Sequence, residues 1–165
     1  SHAHWDHAGG IAALQKASGA TVLASEWGAR VLRAGKVEKD DPQYEEKDQV
    51  QFPKVANVRA MRDNEVIKLG DVAVTAVMTP GHTPGSTTWT WKECEAGKCY
   101  SVVYADSLTA VSRDGFRFTG GAGTPDISGS FRSSIDRIGK WAKAAQGRGI
   151  VLIPISRVAV KTGSS

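Results

Sequence analysis

The chain opens with Ser1-His-Ala-His-Trp-Asp-His7, in which three histidines and one aspartate fall within six residues. The fourth and last histidine of the sequence, His82, lies in Thr79-Pro-Gly-His-Thr-Pro-Gly85. Neutral imidazole nitrogen and carboxylate oxygen are the usual non-thiolate ligands of Zn²⁺. A chain that confines its imidazoles to two short segments, and places a carboxylate in one of them, is interpreted as carrying a hydrolytic zinc centre.

The spacing of the histidines predicts how they meet. In an extended segment the side chains of His2 and His4 point the same way, so both can reach one ion. Asp6 and His7 are adjacent and point differently, which permits a second ion nearby. His82 is the one imidazole left to complete the first site, and it follows an apolar strand in a loop of the kind that carries site residues. The alternatives are ordinary surface or hydrogen-bonded histidines, or an N-terminal tag, although a tag would be a homopolymer.

Three motifs resemble a known family. His2-x-His4-x-Asp6-His7 followed by Ala8-Gly-Gly10 resembles the signature of the metallo-β-lactamase superfamily, and Thr79-Pro-Gly-His-Thr-Pro-Gly-Ser86 resembles its second histidine loop. Tyr104-Ala-Asp-Ser-Leu-Thr-Ala-Val-Ser112 is similar to the zinc β-lactamase subclass that has serine where others have a metal-binding cysteine. That subclass holds its second zinc with an Asp-His-His set. The similarity runs from Ser1 to about Val151.

The resemblance implies a ligand set for two zinc ions. His2, His4 and His82 would hold the first zinc, and Asp6 and His7 would supply two ligands of the second. Asp6 would also act in catalysis, because its charge suits it to orient the attacking hydroxide.

The resemblance also implies a substrate-binding pair. Ser107 would stand at the position of the cysteine and order a metal-bound water, and Ser107 and Thr109 would hydrogen-bond the substrate carboxylate. The alternative for both residues is an ordinary turn at the end of a strand.

The activity implied is zinc-dependent hydrolysis of the β-lactam amide bond by a metal-bound hydroxide, which would confer antibiotic resistance. The partner would be a small-molecule β-lactam and the compartment would be the periplasm. One alternative is another hydrolase of the same fold that cleaves a thioester, a lactone or a phosphodiester, in which Asp106 would bridge the metals. The other is an inactive zinc-binding fragment.

The sequence departs from the family pattern in two places. Family members carry a further histidine after a strand like Gly149–Pro154, whereas residues 155–165 contain none. The second zinc would keep only Asp6 and His7, and we expect its site to be weakly occupied. The family also places a β-rich segment before the first motif, so residues 1–165 are interpreted as a single partial domain with a divergent tail over 155–165.

Composition fits a globular piece with one core. The 165 residues are 41% hydrophobic and 23% charged. No apolar run approaches the length of about 18 residues that would suggest a membrane span. The net charge is +4, but the basic residues are interleaved with acids and form no stripe with aromatic residues, so neither a nucleic-acid nor a membrane partner is expected.

The two cysteines, Cys94 and Cys99, flank Glu95-Ala-Gly-Lys98 between two segments of strand character. An Ala-Gly centre suits a hairpin turn that would bring the thiols across from each other. A disulfide and an oxidising compartment are therefore plausible. A pair of reduced thiols is the alternative.

The rest of the sequence predicts an α/β fold, with strands in the middle and helices outside, as one α/β half of a four-layer αββα sandwich with its N-terminal part missing. Helix signals include the cap residue Ser25, the stop residues Gly19 and Gly35, and an apolar period near 3.6. The predicted segments are helices over 9–18, 26–34 and 130–146, strands over 21–24, 150–153 and within 58–78 with breaks at Asp63-Asn64 and Gly70-Asp71, a long loop over 36–54 and a flexible loop over 120–125.

Overall fold

The computed structural model of the protein describes residues 1–45, 51–113, 115–121, 123–144 and 150–154. Most of the helices precede the main run of strands, and one long helix follows it. The elements, in chain order, are α1 (Trp5–Ala8), α2 (Ile11–Ser18), β1 (Val22–Ser25), α3 (Glu26–Ala34), β2 (Val58–Met61), β3 (Glu65–Leu69), β4 (Val72–Met78), β5 (Thr87–Glu95), β6 (Lys98–Ala105), β7 (Thr119–Gly121), β8 (Thr124–Asp126), α4 (Ser128–Ala144) and β9 (Ile150–Pro154).

A five-stranded sheet in the order β3-β4-β5-β6-β9 forms the larger layer. The pairs from β3 to β6 are antiparallel, whereas β9 runs parallel to β6. Parallel neighbours need a crossover connection, and α4 provides it. Ile138 of α4 packs on Val103 and Ala105 of β6, so this helix covers one face of the sheet.

A second layer contains α2, α3 and the parallel pair β1-β2. The Ser25 hydroxyl caps α3 by accepting a hydrogen bond from the Gly28 amide at 3.1 Å. Gly35 ends α3 with a φ of 74°, and a Cβ there would lie 2.5 Å from the carbonyl oxygen of Phe52. The apolar core of this layer consists of Ala3, Ala8, Trp27, Ala29, Val31, Leu32, Phe52, Val55 and Val58.

The β5–β6 hairpin has the predicted form. Cys94 and Cys99 are directly opposite each other and are joined by a disulfide. Ala96 and Gly97 form the turn with φ values of 49° and 77°, as the twist of a tight hairpin requires. Within the described residues, every helix is too short or too polar to traverse a lipid bilayer.

The predicted mixed helix and sheet architecture is confirmed, and the breaks at Asp63-Asn64 and Gly70-Asp71 do separate β2, β3 and β4. One element was not predicted. The opening segment is extended as far as His4 and then turns into α1, where the amides of His7 and Ala8 donate to the His4 carbonyl.

The prediction of a flexible loop over residues 120–125 is wrong. Thr119–Gly121 and Thr124–Asp126 are the strands β7 and β8 of a short hairpin, in which Thr119 pairs with Asp126 and Gly121 with Thr124. Gly120 has a φ of 79°, and a Cβ there would lie 3.1 Å from the Asp126 amide nitrogen, so glycine allows the two strands to approach closely. The predicted tail over 155–165, and the end of the helix expected to reach residue 146, lie outside the described residues.

Candidate metal centre

Three imidazoles from two distant parts of the chain converge at one end of the fold. His2 and His4 precede α1, and His82 lies in the loop between β4 and β5, which we call the histidine loop (residues 79–86). The ring centre of His82 is 4.7 Å from that of His2 and 5.1 Å from that of His4. One nitrogen from each ring lies within 4.8 Å of the others, so the three could hold one metal ion.

Each of these imidazoles has a hydrogen-bond partner on its other nitrogen. His2 Nδ1 lies 2.8 Å from Asp106 Oδ1, and His4 Nε2 lies 3.1 and 3.2 Å from the two carboxylate oxygens of Asp41. His82 Nδ1 donates to the Thr109 carbonyl oxygen at 2.8 Å. These acceptors require a proton on the outer nitrogen, so the lone pairs that could bind a metal lie on His2 Nε2, His4 Nδ1 and His82 Nε2. The Gln43 amide nitrogen lies 3.3 Å from His82 Nε2, and a bound metal would replace this hydrogen bond.

Burial keeps His2 in the neutral form that a metal requires. Loss of solvation lowers the pKa of His2 to about 4, and the hydrogen bond from His2 to Asp106 only partly opposes this effect. Burial alone would raise the pKa of Asp106, but its hydrogen bond and charge interaction with His2 place that pKa below its usual value. The carboxylate is therefore ionised and accepts a hydrogen bond from His2 Nδ1. Burial also lowers the pKa of His7.

Helix α4 supports one side of the histidine loop. The Ser134 hydroxyl donates to the Pro80 carbonyl oxygen at 2.7 Å. Gly81 allows the loop to lie against the Phe131 ring, since a Cβ at this position would come within 2.0 Å of that ring. The loop also closes on itself, because the Thr79 amide donates to the Ser86 carbonyl oxygen at 2.9 Å.

The start of α3 supports the other side of this loop. The Ser25 hydroxyl that caps α3 also donates to the Gly85 carbonyl oxygen at 2.8 Å. A Cβ on Gly85 would lie 2.6 Å from the Trp27 ring and 3.0 Å from the Gly28 amide nitrogen. His82 is thus held between the two layers of the fold.

Asp6 and His7, the predicted ligands of a second metal, lie next to each other on α1. His7 Nε2 is 3.8 Å from Asp6 Oδ2, and the Asp6 side chain is 46% exposed. The other ring nitrogen of His7 lies 3.3 Å from the Ser1 hydroxyl. In the part of the chain that the structure describes, no third ligand groups with this pair, whereas His2, His4 and His82 do form a group of three.

Ser107 and Thr109, the predicted substrate-binding pair, lie beside His82. Their hydroxyls lie 2.9 Å apart, and the Thr109 hydroxyl is 3.4 Å from His82 Nδ1. Ser107 is buried and Thr109 is exposed. The pair therefore sits between the His82 ring and solvent.

Two residues of this site were missed in the sequence. Asp41 and Gln43 lie in the segment expected to be an ordinary polar loop, yet Asp41 holds His4 and the Gln43 amide nitrogen lies 3.3 Å from His82 Nε2. The Asp-Asp-Pro run before Gln43 indicates a turn, but it does not reveal which acid turns inward.

A two-layer α/β fold in which a His-x-His-x-Asp-His stretch meets a later histidine defines the class of this protein. Residues 1–96 match the family model described as the metallo-beta-lactamase superfamily, and the chain belongs to this superfamily.

Solved structures of metallo-β-lactamases, including one of subclass B3, resemble the chain closely. MEM-A1, isolated from a soil metagenome library, is 48% identical with a TM-score of 0.81, and the match covers 93% of this chain and 55% of that one. SMB-1, solved in a complex with mercaptoacetic acid, is 46% identical with a TM-score of 0.78 over the same shares. MIM-1 from Novosphingobium pentaromativorans is 41% identical with a TM-score of 0.74, and the match covers 93% of this chain and 53% of MIM-1. The chain thus spans about half the length of these relatives.

Proposed function

We propose that the protein is a zinc-dependent β-lactam hydrolase of the B3 type, and that it contributes to antibiotic resistance. The observation that carries this proposal is the convergence of His2, His4 and His82 with their outer nitrogens already engaged. Membership of the superfamily and the similarity to MEM-A1 and SMB-1 support the substrate class.

The three imidazoles fit zinc. Catalytic zinc sites commonly combine three protein ligands with one open position, and their histidines donate the second ring proton to a carboxylate or a carbonyl. His2, His4 and His82 would supply the three ligands, and the second ring nitrogen of each has a carboxylate or carbonyl acceptor. When bound, zinc supplies a Lewis acid for a carbonyl oxygen and lowers the pKa of water to about 7.

The remaining roles fall to side chains around these ligands. The half-exposed Asp6 carboxylate would orient the attacking water. The Ser107 and Thr109 hydroxyls would hydrogen-bond the substrate carboxylate and so fix the lactam carbonyl over the site. Asp6 and His7 would hold a second zinc only weakly, because two ligands are fewer than catalytic sites normally have.

Ring opening by this chain is the test of the proposal. The purified 165-residue chain is mixed with zinc and a β-lactam, and loss of the lactam absorbance is followed. We expect the unaltered chain to hydrolyse the β-lactam and a chelator to abolish this activity. The His82→Ala variant, assayed in the same way, should show no hydrolysis. Zinc binding without any turnover would instead support an inactive zinc-binding fragment.

A second candidate is a hydrolase of the same fold that acts on a thioester, a lactone or a phosphodiester. Asp106 would then be a metal-bridging ligand, but its Oδ1 atom hydrogen-bonds His2 Nδ1, which suits a supporting residue instead. We therefore favour the β-lactamase. If Asp106→Asn removed the metal as completely as His2→Ala, while Ser107→Ala left metal and activity unchanged, the second candidate would gain.

The disulfide supports an oxidising compartment such as the periplasm, since disulfides persist where thiols are not kept reduced. A small-molecule substrate is consistent with SMB-1, whose structure contains mercaptoacetic acid.

A further inference from the structure

Two loops hold the outer nitrogens of different metal-ligating histidines. The acidic loop (residues 41–45) supplies the Asp41 carboxylate to His4 Nε2. The serine loop (residues 106–113) supplies the Thr109 carbonyl oxygen to His82 Nδ1. The orientation of His4 relative to His82 therefore depends on how these two loops lie against each other.

Arg113 joins the two loops at two points. Its backbone amide donates to the Pro42 carbonyl oxygen at 2.9 Å. Its guanidinium Nη1 donates to Glu45 Oε1 at 2.7 Å. The two contacts hold the acidic loop at Pro42 and at Glu45, on either side of Gln43.

The acidic loop connects these two contacts to His4 through Asp41. Asp41 is buried, and its Oδ1 atom accepts a hydrogen bond from the Gln43 amide at 2.8 Å, which fixes the carboxylate relative to the loop backbone. A loop held at Pro42 and Glu45 consequently holds the carboxylate on the His4 ring.

We propose that Arg113 is a positioning residue for the metal centre, which acts by clamping the acidic loop to the serine loop. The inference rests on the proposed metal-dependent function and deepens it, since it names a residue beyond the ligand set that tunes affinity for the ion. Arg113 touches neither a ligand imidazole nor the reacting atoms in this role.

The expected effect is modest. The Arg113 and Glu45 side chains are 53% and 23% exposed, and exposed ion pairs contribute little in water. Truncation of Arg113 leaves its backbone bond to Pro42 in place, so only part of the clamp is lost. We expect Arg113→Ala to weaken zinc binding by about two- to fivefold, below the effect typical of a direct partner of a ligand.

The direction in which zinc affinity changes distinguishes clamping from a purely electrostatic effect of the substituted charge. Removal of a cation near the site should strengthen zinc binding by electrostatics alone, and removal of an anion should weaken it. Clamping predicts instead that Arg113→Ala and Glu45→Gln both weaken zinc binding, and that the double variant is no worse than the poorer single one. Arg113→Lys should recover part of the affinity.

The experiment is a competition titration of the 165-residue chain with zinc and a chromophoric chelator, alongside thermal unfolding of the metal-free proteins. Arg59→Ala is the matched control, because Arg59 forms a similar exposed pair with Glu65 at 2.6 Å away from the ligand loops. We expect this control to leave the zinc affinity unchanged. Metal-free Arg113→Ala should unfold at the same temperature as the unaltered chain.

Two outcomes would overturn the inference. One is equal or tighter zinc binding by Arg113→Ala, and the other is a loss of affinity matched by Arg59→Ala or accompanied by general destabilisation of the metal-free protein. Failure of the unaltered chain to bind zinc would count against the proposed function itself, and is thus distinguishable from failure of the clamp.

Discussion

His4 depends on a carboxylate that lies 37 residues later in the chain. Asp41 is buried and accepts a hydrogen bond from His4 Nε2. This bond fixes the orientation of the His4 ring and therefore the direction in which His4 Nδ1 points. Partners of this kind fix both the tautomer and the orientation of a ligand, and their loss typically costs ten- to a hundredfold in metal affinity. We therefore expect Asp41, which does not itself offer a ligand atom to the site, to control how tightly a metal ion is held.

We predict that Asp41→Ala weakens zinc binding by about ten- to a hundredfold, because His4 is then free to rotate and its outer proton is left unpaired. Competition with a chelator measures the change. Glu38→Ala is the charge control, since Glu38 pairs with Arg30 at an exposed site. Equal losses in both variants would mean that charge, rather than orientation, sets the affinity.

The buried His2 predicts a pH dependence for the metal-free protein. The pKa of His2 is about 4 in the folded chain, against 6.5 for an exposed imidazole. Between these pH values the unfolded chain binds a proton that the folded chain does not, so stability is complete above pH 6.5 and falls as the pH drops toward 4. We expect a loss of about 3 kcal/mol across this range.

Denaturant unfolding with chelator present, at several pH values between 7.5 and 4, measures this dependence. The variant His2→Gln should show a flatter profile, because it lacks the titrating ring. A slope identical to that of the unaltered chain would assign the pH dependence to other groups.

At the scale of residues, the sequence was sufficient to predict the three imidazoles that meet but not their partners. Four histidines in 165 residues leave few ways to build a site. Acids are numerous, however, and Asp40 and Asp41 are chemically alike in the sequence, although Asp40 binds the Trp27 indole and Asp41 binds His4. Only the folded path of the acidic loop distinguishes them.

At the scale of elements, the histidine loop is held between two helices. Ser134 of α4 bonds Pro80 on one side, and Ser25 at the start of α3 bonds Gly85 on the other. Close packing leaves no room for a Cβ at Gly81 beside Phe131 or at Gly85 beside Trp27. The position of His82 is therefore a property of how the two layers pack.

We predict that Gly85→Ala destabilises the protein by about 1–3 kcal/mol and weakens zinc binding, because a Cβ would overlap the Trp27 ring and crowd the Gly28 backbone. Gly139→Ala in α4 is the control, since nothing lies within 4 Å of its Cβ position. That change should stabilise the helix by up to about 1 kcal/mol. Thermal unfolding and zinc titration of both variants test this, and an unperturbed Gly85→Ala would show that the loop can shift without cost.

The elements that the sequence predicted well have strong local signals. Ser25 caps α3, Gly35 ends it, and an apolar run interrupted only by Thr75 marks β4. Helix α1 has only four residues, too few for any local signal, and it depends on its surroundings for stability. The hairpin β7-β8 was missed because its glycines are equally typical of a loop.

At the scale of the whole molecule, the histidine motifs indicated the family independently of any prediction of helices and strands. The His-x-His-x-Asp-His stretch and the segment around His82 are separated by about half the described chain, and the fold brings them together at the junction of its layers. Periodicity alone predicts strands flanked by helices, and does not predict which loops meet. The contacts of Asp41, Gln43 and Arg113 arise from that meeting, which is why sequence patterns did not reveal them.

The most direct test of a shared metal centre is the zinc content of the unaltered chain and of His82→Ala after dialysis against a limiting zinc concentration. We predict one tightly bound zinc per chain, with a second bound much more weakly, and a loss of the tight zinc in His82→Ala. Tight zinc binding that persists undiminished in His82→Ala would contradict the convergence of the three imidazoles on one ion.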